Sequence, residues 1–123
     1  MGRVGIVLIS HSTKIVEGIK ELIREVIADV PIELAGGTEE GEIGTSIDKI
    51  VNAIKTADEG KGVVLFYDIG SAKMNAEIAI EMDEKSTTKI VDAPLVEGSY
   101  VAAVESGMGK NLLEVYEAVK KSF

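Results

Sequence analysis

Val4-Gly5-Ile6-Val7-Leu8-Ile9-Ser10-His11-Ser12-Thr13-Lys14 holds the pattern that decides this chain: an apolar run from Val4 to Ile9 that breaks, at a histidine, into the polar start of a helix. A short, nearly continuous apolar run rich in β-branched residues reads as a strand covered on both faces, as in parallel α/β sheets. Such sheets bind and react at the carboxyl ends of their strands, where helix N-termini present unpaired backbone N–H groups. His11, the only histidine of the chain, stands at that point. A neutral imidazole offers an unprotonated ring nitrogen at physiological pH without any pKa shift. The pattern therefore places a nucleophile beside an anion site and makes His11 a candidate phosphoryl carrier. The opposing reading is an ordinary solvated or structural histidine.

Outward from this strand, apolar runs alternate with segments of helical period, the signature of a βαβ series. A helix is expected from about Thr13 to Asp29, with Ile15, Ile19, Leu22, Ile23, Val26 and Ile27 on one stripe, ended by Pro31. Ile32 to Ala35 reads as a second strand. The loop Gly36-Gly37-Thr38-Glu39-Glu40-Gly41-Glu42-Ile43-Gly44-Thr45 follows, and its four glycines fit no regular element. Ser46 caps a helix carrying Ile47, Ile50, Val51 and Ile54. Val63 to Tyr67 is a third strand, turning through Asp68-Ile69-Gly70-Ser71 into a helix that reaches about Met82. Thr87 to Val91 is a fourth strand, stopped by Pro94, and helices near Gly98–Glu105 and Asn111–Lys121 finish the chain. The expected fold is α/β: an open, mostly parallel four-stranded sheet, with room for one further edge strand, and helices on both faces. Residues 1–123 form one domain without repeats or linkers.

Composition narrows the function. The formal net charge is −8, from 13 Lys+Arg against 21 Asp+Glu, which argues against nucleic acid as a partner. An acidic body also repels free phosphorylated metabolites, so a phosphate held here is expected to arrive on a protein of complementary surface. The absence of cysteine excludes thiolate chemistry and disulfides and agrees with a cytoplasmic setting. No stretch is apolar for long enough to span a bilayer.

Right-handed crossovers bring the loops after strands one, two and three to one edge, so that His11, the glycine-rich loop and Asp68 become neighbours. Asp68 could accept a hydrogen bond from one imidazole nitrogen, fix the tautomer and leave the other nitrogen free; the competing role is a turn aspartate. Ser12, Ser71 and the backbone N–H groups around Gly37, Thr38 and Gly70 could hold phosphate oxygens. Met74, Met82 and Met108 read as core or interface packing. Ser106-Gly107-Met108-Gly109-Lys110-Asn111 echoes the end of a Walker A loop, but Asn111 replaces Ser/Thr and Val104 stands in place of the first glycine. No metal centre is expected, and Glu39, Glu40 and Glu42 lack calcium-loop spacing.

Four blocks in order resemble the DhaM phosphotransferase subunits of bacterial dihydroxyacetone kinase: Val4 to Ser12, Gly36 to Ser46, Tyr67 to Asn75, and Asp92-Ala93-Pro94-Leu95-Val96-Glu97-Gly98. The parent fold is similar to enzyme IIA of the mannose-type sugar phosphotransferase system. The resemblance implies that His11 is phosphorylated and that Asp68 orients it. It further implies a relay: phosphoenolpyruvate to enzyme I, to HPr, to His11, and on to ADP bound on DhaL, which phosphorylates dihydroxyacetone held by DhaK. Nucleotide and metal ions are then expected on DhaL and no cofactor on this chain, which would draw on separate HPr and form a homodimer. Two alternatives stay open: an enzyme IIA serving a sugar permease, and a non-catalytic anion-binding regulatory module. An adenine or flavin site is disfavoured by the 4% aromatic content and the missing G-x-G-x-x-G.

Overall fold

Strands and helices alternate along the chain as β1 (Gly5–Ser10), α1 (Thr13–Arg24), β2 (Ile32–Gly36), α2 (Ile47–Ala57), β3 (Val63–Tyr67), α3 (Gly70–Met82), β4 (Thr88–Ile90), α4 (Leu95–Gly107) and α5 (Leu112–Ser122). The computed structural model describes residues 2–83 and 85–123. Its four strands are all parallel in the order β2-β1-β3-β4. No helix among the described residues is long and apolar enough to cross a membrane.

Period-two alternation divides the core. Ile6, Leu8, Val64 and Phe66 point to the face covered by α1, α4 and α5, together with Val16, Ile23, Ala102 and Val115. Val7, Ile9, Val63 and Leu65 point to the other face, against Ile50 and Ile54 of α2 and Ala72, Ala76 and Ala79 of α3. With both faces covered, the central strands must be apolar throughout, which is why Val4–Ile9 and Val63–Phe66 show no alternation in sequence.

Three expectations change. Helix α1 ends at Arg24, not near Asp29. The chain tightens there through the N–H groups of Val26 and Ile27 onto the Ile23 carbonyl, and Arg24 reaches the Ile27 carbonyl. Leaving the helix early lets Val30 turn into the core before β2. The buried stripe of α1 is accordingly Val16, Ile19 and Ile23, while Ile15, Leu22 and Val26 are exposed. Helix α4 begins at Leu95, with Pro94 as its N-cap. Gly98 lies inside it because a Cβ there would stand 3.0 Å from both the Phe66 ring and Ala93, so the glycine is a packing choice. Met74, Met82 and Met108 are exposed, not core. Gly109, at φ +85°, separates α4 from α5, and Asn111 opens α5 with a capping box to Glu114.

Candidate active site

Strand register decides which side chains can meet. Ser10 ends β1 opposite Gly36 of β2, and Ile9 lies opposite Tyr67 of β3. One residue further on, Ser10 is level with Asp68, and His11 emerges between the glycine-rich loop and the start of α3. All of these stand at the carboxyl edge of the sheet.

Asp68 is the centre of this edge. Its Oδ2 accepts the Ser10 hydroxyl at 2.8 Å and the backbone N–H of His11 at 2.9 Å. Its Oδ1 lies 3.1 Å from His11 Nδ1 and accepts the backbone N–H of Ile69 at 2.7 Å. Partial burial pushes the Asp68 carboxyl up, but the His11 amide, the Ser10 hydroxyl, the His11 ring and the Ile69 amide outweigh it and hold the group below the ordinary carboxylate range. An ionised carboxylate only accepts, so Nδ1 must carry the ring proton. Nε2 of the neutral ring is then the lone-pair nitrogen, and it takes the Ser71 hydroxyl at 2.8 Å. His11 is thus held at both ends, with Nε2 turned toward the exposed first turn of α3.

The remaining candidates take different places. Ser12 is the N-cap of α1 without a side-chain cap bond, and its N–H donates to Ser10 Oγ at 3.0 Å. Gly37 adopts φ +73° and donates its N–H to the Ser10 carbonyl at 3.0 Å. Thr38 exchanges bonds with Glu42 through its N–H and hydroxyl, and Gly44 donates to the His11 carbonyl at 2.9 Å. The amides of Gly37, Thr38, Gly41, Glu42 and Gly44 are therefore engaged within the protein, and the loop acts as a brace for the His11 backbone. Gly70 is the exposed first residue of α3, with open space where a Cβ would be. The opening donors left at this edge are the amides of Thr13, Gly70 and Ser71, because the Ser12 N–H goes to Ser10 Oγ and the Ala72 N–H to the Ile69 carbonyl. Neither helix has a side-chain cap or an acidic residue in its first turn, whereas α2 and α5 have both and α4 has Glu97. The positive ends of two helix dipoles thus lie beside the imidazole, with Asp68, bound to the N–H groups of His11 and Ile69, as the one carboxylate the hydrogen bonds place there.

Ser10 went unassigned in the sequence although it is fully buried and joins Asp68 to the amide of Ser12, the N-cap of α1. As the polar last residue of an apolar strand, immediately before the histidine, it did carry a signal. A second cluster flanks the site. The Tyr67 hydroxyl donates to Asp92, which also binds Lys73 Nζ at 3.2 Å. The Tyr67 hydroxyl and Lys73 hold Asp92 below the ordinary range, and Asp92 pushes both Tyr67 and Lys73 up. This cluster ties the loop after β4 to α3. Among the described residues no group of three or more His, Cys, Asp or Glu side chains could hold a metal ion. A cleft of about 480 Å³ lined by Lys55, Asp58, Met82, Asp83, Lys85 and Ser86 opens where α2 and α3 end, away from this chemistry.

The family model described as "PTS system fructose IIA component" matches residues 5–116. A DhaM phosphotransferase subunit of the PTS-dependent dihydroxyacetone kinase of Lactococcus lactis is 42% identical, over 95% of this chain and 94% of its own length. A DhaM phosphoryl donor subunit of a PEP-dependent dihydroxyacetone kinase of Listeria innocua is 45% identical, over 85% of this chain and 82% of its own. A crystal structure of a protein of unknown function superposes with a TM-score of 0.87 at 34% identity, covering 97% of this chain and 94% of that one.

Proposed function

The chain belongs to the PTS system fructose IIA component family, and from that membership, with the DhaM subunits among its relatives, we propose that it is the phosphohistidine carrier of a PEP-dependent dihydroxyacetone kinase. The observation that carries this reading is the division of labour between the two nitrogens of His11: Nδ1 is committed to Asp68, and Nε2 bears the lone pair.

In this reading Nε2 attacks the phosphorus of phospho-HPr, the donor's N–P bond breaks, and a new N–P bond forms at Nε2. The ring becomes cationic as phosphorus approaches, and Asp68 balances that charge while keeping the Nδ1 proton in place. Ser71 Oγ lies on the line the phosphorus must take, so its side chain turns aside and donates to a phosphoryl oxygen instead. The first free amides of α1 and α3, at Thr13 and Gly70–Ser71, donate to the remaining oxygens. The phosphoryl group brings about −1.5 to −2 charges, which the two helix N-termini favour. In the second half-reaction a β-phosphate oxygen of ADP, held with its metal ions on DhaL, attacks phosphorus in line and returns the electron pair to Nε2. DhaK then holds the dihydroxyacetone that DhaL phosphorylates.

The test is intact mass after incubation with phosphoenolpyruvate, enzyme I and HPr. One phosphoryl adduct is expected, labile in acid and stable in alkali as a phosphoramidate should be, and chased off by DhaL with ADP. His11→Ala should keep its fold, because Asp68 retains three donors, and should accept no phosphoryl group. Labelling that survives in His11→Ala removes His11 from the reaction.

A further inference from the structure

Asp68, His11 and Ser71 form a connected line: carboxylate to Nδ1 at 3.1 Å and Nε2 to Oγ at 2.8 Å. We propose that, while His11 is unphosphorylated, this line works as an acyl-accepting relay in which Ser71 is the nucleophile toward small activated acyl esters. This is a different reaction from phosphoryl transfer and uses the same imidazole in a different role.

Each requirement of such a relay is met by a group already placed. The nucleophile lies within hydrogen-bond reach of an unprotonated nitrogen, and that nitrogen's tautomer is fixed by a carboxylate held ionised by its donors. Ser71 is exposed, so an ester can reach it from solvent. It is also the second residue of α3, whose opening amides have no partner within the helix and no side-chain cap. The N–H groups of Gly70 and Ser71 are therefore the donors available to an oxyanion on a carbon bonded to Ser71 Oγ. Gly70 leaves that approach open.

With p-nitrophenyl acetate as the probe, Ser71 Oγ bonds to the carbonyl carbon and its proton passes to Nε2. The oxyanion collapses, the ester C–O bond breaks, p-nitrophenolate leaves, and the proton on Nε2 is released to solvent. Water then gives a proton to Nε2 as its oxygen attacks the acetyl carbon; the bond from that carbon to Ser71 Oγ breaks, Nε2 returns its proton to Ser71, and the acetic acid formed ionises to acetate.

The experiment incubates the unphosphorylated protein with p-nitrophenyl acetate, follows p-nitrophenolate release, and maps the acetyl adduct by mass spectrometry of peptides. The expected result is an adduct on Ser71 and a rate that falls at least about tenfold in Ser71→Ala, His11→Ala and Asp68→Asn, in keeping with the 10²–10⁴-fold typical of a positioned base. Ser71→Cys, which keeps a nucleophile at the same place, should retain the adduct. Thermal melts establish that each variant is folded. A Ser71→Ala variant that reacts at the parental rate puts the nucleophile on Nε2 itself and overturns the proposal, as does an adduct confined to lysines or an unchanged rate in His11→Ala. None of these outcomes bears on whether Nε2 accepts phosphorus, which the phosphoenolpyruvate experiment reads separately.

Discussion

Asp68 binds His11 twice, taking its backbone N–H at 2.9 Å with one carboxylate oxygen and facing its ring Nδ1 at 3.1 Å with the other. The residue that orients the ring therefore also fixes the backbone from which the ring hangs. Imidazole position and tautomer are set together, so a change at Asp68 should disturb both.

Asp68→Asn replaces one of two fully used acceptor oxygens with an NH₂ group. Either the Ser10 hydroxyl and His11 amide, or the His11 ring and Ile69 amide, then face a donor. Stability should fall by about 1–3 kcal/mol. If the amide nitrogen faces the ring, the proton moves to Nε2 and the lone pair is lost there. Phosphoryl acceptance from HPr should slow by about 10²–10⁴-fold. Thermal melts and quenched-flow transfer rates measure the two effects, and parental values in both would reduce Asp68 to a turn residue.

Ser10→Ala removes a fully buried hydroxyl that donates to Asp68 and accepts from Ser12. It should cost about 1–3 kcal/mol and slow transfer without contact with any substrate. It should also change the acid limb of stability. The folded-state pKa of Asp68 lies below its unfolded value of about 3.9, so its contribution is complete above that pH and is lost as pH falls through the folded value. With one donor gone, that folded value rises toward the unfolded one, so the acid loss in Ser10→Ala should be smaller and should finish at higher pH than in the parent. Melting temperatures between about pH 6 and pH 2.5 read this directly; superimposable acid limbs would show that Ser10 does not sustain the carboxylate.

A probe of partner docking needs an exposed side chain on the same edge. Gly37→Leu is unsuitable, because φ is +73° there and a Cβ would meet Thr13 Cγ2 at 2.8 Å and the Glu42 carbonyl at 2.9 Å. Ile43 is 78% exposed in the loop that braces His11. Ile43→Asp should change stability by less than about 0.5 kcal/mol. It should lower kcat/KM for transfer to DhaL–ADP by about 5- to 30-fold, the loss expected of a buried contact worth 1–2 kcal/mol. Unchanged transfer at two ionic strengths would place docking elsewhere.

Much of this site was legible because strand ends announce themselves. The apolar runs stop at Ile9 and Tyr67, and the first chemically capable residues beyond them are His11 and Asp68. The strand order then had only to make the strands neighbours. What stayed hidden depends on three-dimensional supply and demand. The amides around Gly37 look like an anion cradle in sequence, yet they close their own loop and the end of β1. The end of α1 at Arg24 follows from the need of Val30 to reach the core, which no helical period encodes. Gly98 resembles a helix boundary because its true cause, the Phe66 ring, lies 32 residues away in sequence (98 − 66).

The alanine face of α3 gives the molecule something like a gauge block. Ala72, Ala76 and Ala79 are fully buried, so the helix rests on the sheet with no side-chain slack beneath it. Ser71 rides on the first turn of that helix and inherits its height above β1 and β3. A larger residue at Ala79, eight positions and roughly 12 Å along the axis from Ser71, would shim the far end and tilt the near one. The spacing between Oγ and Nε2 is therefore calibrated by methyl groups, those of Ala76 and Ala79 lying farther along the helix than the serine that meets the histidine, and drift in its reactivity can begin at the opposite end of the helix.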